Sequence, residues 1–413
     1  MNRIGTTYGG LTGKTKADFG RGKAQYVTFL NVIENTRIDP SQHESVDVGA
    51  SEKQNLVLRG DLLFNGTSET PEDVALAGVV VHDIPRLYLN SFCFGFRIAS
   101  PHLCDAEFVA YVFRSPQGRQ LVSALAQGAT RYNVSKRQFL ALSLALPPVP
   151  EQRAIAEALS DVDGLLAALD ALIAKKRAIK QAAMQQLLTG ETRLPGFDAA
   201  RSPNRLGDVG HCIRGVSYEP SADLAPHDTA STVRLLRANN VYGELINIDE
   251  LQFVQAHKVS EKQLMQVDDI LVCTASGSKD VVGKAAQFRI DDGHAYTFGA
   301  FMVCFRVDRG EANPRFIHYL FHTGRYRAHL AVTLAGSSIN NLKPGDIESC
   351  EFGMPVRTEQ DAIATVLSDM DAEVAALEAR RDKTRAIKLG MMQQLLTGRI
   401  RLVEPTKTLE ASA

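Results

Sequence analysis

The chain contains one segment twice. Residues 151–194 and 359–402 align at an offset of 208 without a gap, and 27 of their 44 positions are identical. Whatever structure the first copy forms, the second must form too, so the molecule has two related halves. The offset persists outside the block. Arg59–Leu63 lies over Val267–Leu271, Phe108–Phe113 over Phe316–Phe321, Asn31 over Asn239 and Asn133 over Asn341. Elsewhere the halves are dissimilar. The chain therefore divides into a diverged 1–146, a retained 147–196, a diverged 197–354, a retained 355–404 and a tail, 405–413. Retained segments answer to one shared constraint. Diverged segments on a common scaffold are free to do two different jobs.

The retained blocks have the pattern of long helices. Apolar residues at Ile155, Leu159, Val162, Leu166, Leu169 and Ile173 follow steps of four and three, as do Ile363, Leu367, Met370, Val374 and Leu377. Alanine is abundant in both. Pro147, Pro148 and Pro150 precede the first helix and Pro355 precedes the second; Gly190 and Gly398 stand where helix C-termini favour glycine. The spacing predicts helices of about 35 residues, roughly 50 Å long at 1.5 Å per residue. Two such seams bury most simply against each other, as an antiparallel coiled coil. The repeated motif Arg177–Lys180 and Arg385–Lys388 is either a solvated face or a partner surface.

The diverged parts mix short β-type runs with loops, and the fold class is α+β. Expected strands are Tyr26–Leu30, Asp61–Phe64, Gly78–Val81 and Phe92–Ile98, then Val233–Arg237, Asp269–Cys273, Val281–Phe288 and Phe301–Val307. A helix follows in each half, at Ala106–Phe113 and Pro314–Phe321. Polar loops recur in matching places. They supply Asn65, Thr67 and Ser68, then Thr130, Arg131, Tyr132, Asn133 and Lys136 in the first half. In the second they supply Thr274, Ser276, Ser278 and Lys279, then Ser337, Ser338, Asn340, Asn341 and Lys343. Such side chains donate to phosphates and read base edges. The competing reading is that these loops are simply turns.

Several classes are excluded. With 46 basic and 47 acidic residues the net charge is −1, so the chain is no uniformly basic nucleic-acid coat, though a local basic patch is compatible. There is no apolar run long enough to span a membrane and no signal-peptide core at the start. The six cysteines stand singly with no C-x-x-C, which argues against a metal site or disulfide framework and points to the cytoplasm. No catalytic motif is present. Tyr8–Thr15 resembles a phosphate-binding loop, but its first glycine is out of register and no strand is expected before it. The repeated carboxylates Asp161/Asp163 and Asp369/Asp371 suit the helix dipole better than catalysis.

Leu146–Ile155, running into a long helix, and Met184–Gly190, repeated at Met392–Gly398, carry a family resemblance. Leu206–Val209 and Gly10–Lys14 reinforce it. In this ordered set the whole chain resembles the specificity subunit of a type I restriction–modification system. The resemblance implies two target-recognition domains, each reading half of a split sequence in double-stranded DNA, with Lys14 among the DNA contacts. It implies long helices that set the spacer and dock two modification subunits, through residues such as Arg177, Lys180, Gln185, Gln186, Arg385, Lys388, Gln393 and Gln394. It implies a non-catalytic chain with no cofactor of its own. S-adenosylmethionine, ATP and Mg belong to the modification and restriction–translocase subunits. The stretch Arg205–Asp208 has no counterpart before Gly10, so the first half is expected to lack its opening segment. A duplicated scaffold that binds no DNA is the rival. A stand-alone methyltransferase is weaker, because no N-P-P-[FY] motif is present to hold a flipped adenine.

Overall fold

The computed structural model describes residues 1–276, 278, 281–335 and 341–403. They form two compact units, one made of Met1–Ala171 with the segment from Glu378 onward, the other of Leu172–Leu377.

In the first unit a four-stranded antiparallel sheet runs in the order Gly5–Gly9, Cys93–Ile98, Leu62–Asn65, Ala77–Val79. Leu62–Asn65 is buried on both faces, as its unbroken apolar run requires. A smaller sheet places Phe19–Val27 between an antiparallel His43–Val46 and a parallel Leu87–Leu89. The second unit repeats this plan. Its main sheet runs Gly210–Arg214, Met302–Val307, Ile270–Cys273, Ala285–Gln287. Its smaller sheet contains Thr232–Leu236 beside an antiparallel Gln252–Gln255 and a parallel Tyr296–Phe298. The dissimilar halves thus share one fold.

The same devices fasten both sheets. Asp61 pairs with Arg97 at 2.7 Å in the first unit and Asp269 with Arg306 at 2.7 Å in the second. Gly5 and Gly210 open the edge strands, where a Cβ would lie 2.2 Å from the Arg97 carbonyl and 2.6 Å from that of Arg306. These matches show that the diverged parts do not keep the 208 offset. Asn31 therefore corresponds to Asn240, not Asn239. Both are buried and tie a loop: Asn31 donates to the Asp39 carbonyl, Asn240 to those of Asn247 and Glu250.

Three other expectations change. The strand expected over Tyr26–Leu30 stops at Val27, because Thr28 accepts from the Asn31 N–H and starts a helix at Phe29. The strand expected over Val281–Phe288 shrinks to Ala285–Gln287, behind a turn in which Gly283 takes a φ of 79°. A strand, Gly5–Gly9, does lead into the glycine loop of Tyr8–Thr15, ending at Gly9. Met1 and Ile4 are buried ahead of Gly5, as Leu206 and Val209 are ahead of Gly210. The strand Ser202–Arg205, which pairs with Glu351–Met354, has no counterpart among the described residues of the first unit.

The long helices span Val149–Thr189 (41 residues) and Arg357–Leu395 (39 residues). Gly190 and Gly398 follow with φ of 84° and 71°. Their segments run antiparallel inside each unit. In the first, Asp163 meets Lys388 at 2.5 Å and Asp170 meets Arg385 at 3.2 Å, so one number rises as the other falls. In the second, Lys176 meets Glu373 at 2.6 Å and Lys180 meets Asp371 at 2.5 Å. Each core also takes the first turns of one helix and the last turns of the other. Ile155 and Leu159 join Met392 and Leu395 in the first unit. Ile363 and Leu367 join Met184, Leu187 and Leu188 in the second. The helices therefore both pair and pack on the domains.

Candidate nucleic-acid interface

The polar loops of each half meet. In the first unit Thr67 pairs with Asn133 and Ser68 with Tyr132, as two short antiparallel strands. In the second a β-bridge joins Ala275 to Asn341, and the Leu342 N–H donates to the Thr274 carbonyl at 2.8 Å. Residue types alone marked these loops. Their pairing is a structural result, the same in both units although the side chains differ.

In the first unit the pair presents a basic edge. Thr130, Arg131, Asn133, Lys136 and Arg137 are exposed, and Thr67, Ser68 and Tyr132 are half-buried. Lys136 and Arg137 open a short helix, Lys136–Ala141, which holds both on one turn. Arg131 lines a cleft of about 800 Å³ with Thr67, Ser68, Glu69, Asp73 and Phe92. Arg137 closes the loop 128–137 that the sequence marks as a candidate DNA contact, next to Lys136. In the second unit Ser278, Asn341 and Lys343 are exposed and Ser276 is half-buried. Lys279, Ser337, Ser338 and Asn340 lie outside the described residues. Exposed cations on a chain with no overall positive charge are the local patch that phosphate contact requires.

Three expected contacts are occupied internally. Asn65 is buried; its amide donates to the carbonyls of Thr67 (3.0 Å) and Asp73 (2.8 Å) and its oxygen accepts from the Leu76 N–H at 2.6 Å. Thr274 is buried and its hydroxyl donates to the Phe301 carbonyl at 2.9 Å. Lys14, 8% exposed in its side chain, pairs with Glu52 at 2.6 Å and donates to the Asp47 carbonyl. That ammonium, with the Gly49 N–H behind it, draws the Glu52 carboxyl down to about 2. These three residues shape loops and are not free for DNA. Asn65→Ala is therefore expected to destabilise the first unit by about 1.5 kcal/mol, measured by urea denaturation, with sequence preference retained.

The helix residues expected at a partner surface also divide. Gln185, Gln186, Gln393 and Arg177 are exposed and Gln394 is half-buried. Arg385 is 51% exposed beside Asp170. Lys180 and Lys388 do not face outward. Lys388 pairs with Asp163 and sits 5.6 Å over the Tyr111 ring, while the Tyr111 hydroxyl donates to Asp163 at 2.8 Å. Lys180 does the same with Asp371 and Tyr319, and also pairs with Glu244 at 2.6 Å. Burial, with the carboxylate beside it, raises the pKa of each phenol, which stays a donor. Asp163 and Asp371 are thus held by a lysine of the other copy, not by the helix dipole alone.

The retained Glu-Gln pair has similar work. Gln152 accepts from the Asp105 N–H and donates to the Leu103 and Pro147 carbonyls; Gln360 accepts from the Asn313 N–H and donates to the Pro355 carbonyl. Glu359, fully buried, takes both Arg193 Nε (2.6 Å) and Nη2 (2.5 Å). Glu151 accepts the N–H groups of Leu402 and Val403. These contacts explain why both copies keep the motif.

Among the described residues no three His, Cys, Asp or Glu side chains group as metal ligands, and no helix is long and apolar enough to cross a membrane. All six cysteines are free.

A duplicated α+β domain with paired polar loops, carried on two retained helices, is the class of protein that the fold defines. Residues 22–179 match the type I restriction modification DNA specificity domain. The chain is 30% identical over 188 residues to the specificity subunit of the type I restriction enzyme StySPI of Salmonella potsdam, across 46% of this chain and 40% of that one. It is 31% identical over 190 residues to the specificity subunit of EcoKI from Escherichia coli, with the same shares of 46% and 40%. The matches thus span about two fifths of the length of these relatives. The fold is similar to the crystal structure of the type I restriction–modification S subunit from M. genitalium, with a TM-score of 0.58 and 14% identity over 95% of this chain and 94% of that one. Residues 22–179 thus form a type I restriction modification DNA specificity domain.

Proposed function

We propose that this chain reads DNA sequence for a type I restriction–modification complex. The first unit reads one half of a bipartite target in double-stranded DNA and the second reads the other. One observation carries this reading: both units hold the same loop pair on the same sheet, with different side chains at matching places. A common frame with variable contacts is what two unlike half-sites require. The long helices set the spacer and dock two modification subunits. Exposed Gln185, Gln186 and Gln393, identical between copies at matching positions, support such a doubled docking surface. The chain itself performs no chemistry. Methyl transfer from S-adenosylmethionine belongs to the modification subunits, and ATP- and Mg-dependent translocation and cleavage to restriction subunits, all in the cytoplasm.

The test is a domain exchange read by methylome sequencing of the host. Residues 1–146 are replaced by the matching segment of another family member. One half-site should change completely, while the other half-site and the spacer length stay. A change in both halves, or in neither, would overturn the reading. A gel shift with the modification subunits and a target duplex separates it from a scaffold that binds no DNA.

A further inference from the structure

Each unit exposes one phenylalanine beside its loop pair. Phe92 is 58% and Phe301 71% exposed. Each immediately precedes an inner strand of its main sheet, Cys93–Ile98 or Met302–Val307, so its backbone is firmly placed. The Phe92 carbonyl accepts from the Gly66 N–H at 2.8 Å and its own N–H donates to the Asn90 side chain at 2.9 Å. The Phe301 carbonyl accepts from the Thr274 N–H and hydroxyl, both at 2.9 Å, and from the Ala275 N–H. Gly66 leads directly into Thr67, which pairs with Asn133, and Ala275 bridges to Asn341. Both rings therefore stand at the same place relative to the loop pair. A single exposed ring needs no explanation. Two at equivalent positions, within stretches that otherwise differ (Asn90-Ser91-Phe92 against Gly299-Ala300-Phe301), do need one.

The neighbouring residues indicate the occupant. Phe92 lines the same cleft as Arg131, Thr67 and Ser68, so a ring, a guanidinium and two hydroxyls converge there, beside the carboxylates of Glu34, Glu69 and Asp73. Lys136 and Arg137 are exposed on the next turn. The cations suit phosphates, and the hydroxyls suit base edges. An exposed ring on a firmly placed backbone beside them suits the apolar part of a base pair, which hydrogen-bonding side chains leave uncontacted.

We propose that Phe92 and Phe301 lie against the base pairs of double-stranded DNA, one ring in each half-site, and help to set sequence preference. This rests on the function proposed above. The test uses the full chain assembled with its modification subunits. It measures affinity for the bipartite duplex and for a scrambled duplex over a range of salt. Phe92→Ala should lower the specific-to-scrambled ratio about tenfold, with base preference relaxed in one half-site only. Phe301→Ala should do the same in the other half. The salt slope should not change, because no phosphate contact is lost. Phe92→Tyr, which keeps the ring, should retain the ratio. Thermal midpoints should match the wild type, since both rings are exposed. If the wild-type complex prefers its target and both alanine variants keep that preference, the inference falls alone. A fall in ratio accompanied by a shallower salt slope also overturns it. A wild-type complex with no preference overturns the proposed function and the inference together.

Discussion

Lys180→Met is expected to destabilise the second unit by about 3 kcal/mol. The side chain is 11% exposed and its ammonium lies between Asp371 at 2.5 Å and Glu244 at 2.6 Å, over the ring of Tyr319. Methionine keeps most of the apolar stem, so the change chiefly removes charge. Two carboxylates then face each other without a cation. Removing one member of a buried pair costs about 3–5 kcal/mol in general; Asp371 and Glu244 keep some solvent access, which places this case at the lower end. Lys388→Met should cost the first unit less, because Lys388 pairs with a single carboxylate among the described residues, Asp163, and is 19% exposed. Segment-resolved hydrogen exchange checks both. The variant at 180 should speed exchange in 172–189 and 357–377, with the sheet of the first unit as internal reference. Unchanged exchange with weakened binding of modification subunits would instead make Lys180 a docking residue.

This lysine also shows where the sequence stops being legible. The repeat made plain that Lys180 and Lys388 answer to one constraint. It could not show that the constraint is internal, because each lysine serves the domain of the opposite copy. Tyr319 and Asp371 stand more than a hundred residues from Lys180, and no local spacing connects them. The helices themselves were legible, since a seam with steps of four and three specifies its own burial. Their ends were not. Met184 and Leu187 complete the second core and Met392 and Leu395 the first, an exchange that follows from chain topology.

The candidate interface was half legible for a related reason. Gly, Ser, Thr and Asn mark loops, and Arg131 and Lys136 mark charge. Composition does not distinguish a polar side chain satisfied by its own loop from one left free. Asn65 and Thr274 are of the first kind, exposed Thr130 and Asn341 of the second. Phe92 and Phe301 escaped notice because the diverged halves slip by one residue. At an offset of 208 they do not coincide; on the sheet, one residue later, they do.

Acidification is expected to destabilise the second unit more than the first, where burial lowers the pKa of His43. His318 is 2% exposed, its Nδ1 has no hydrogen-bond partner, and its ring lies 4.7 Å from that of His322. Burial lowers the pKa of both; His322 is brought down to about 4 and His318 well below its usual value. Glu244 and Asp371 oppose the shift at His322, while Lys180 and Arg327 add to it; Arg289, Lys180 and His322 add to it at His318. The unfolded chain takes up a proton near pH 6.5 that the folded unit refuses until about 4. Stability is therefore flat above about pH 6.5 and falls as pH drops through the interval below it. His322 alone should remove about 2 kcal/mol by pH 5, with His318 acting in the same direction. At the matching positions of the repeat, 110 and 114, the first unit has Ala110 and Arg114, so this loss should be absent there. Urea denaturation at pH 7.5, 6 and 5, resolved by unit through hydrogen exchange, measures the slope. His322→Gln should flatten it by one histidine's share. An equal decline in both units would show that these histidines are not its source.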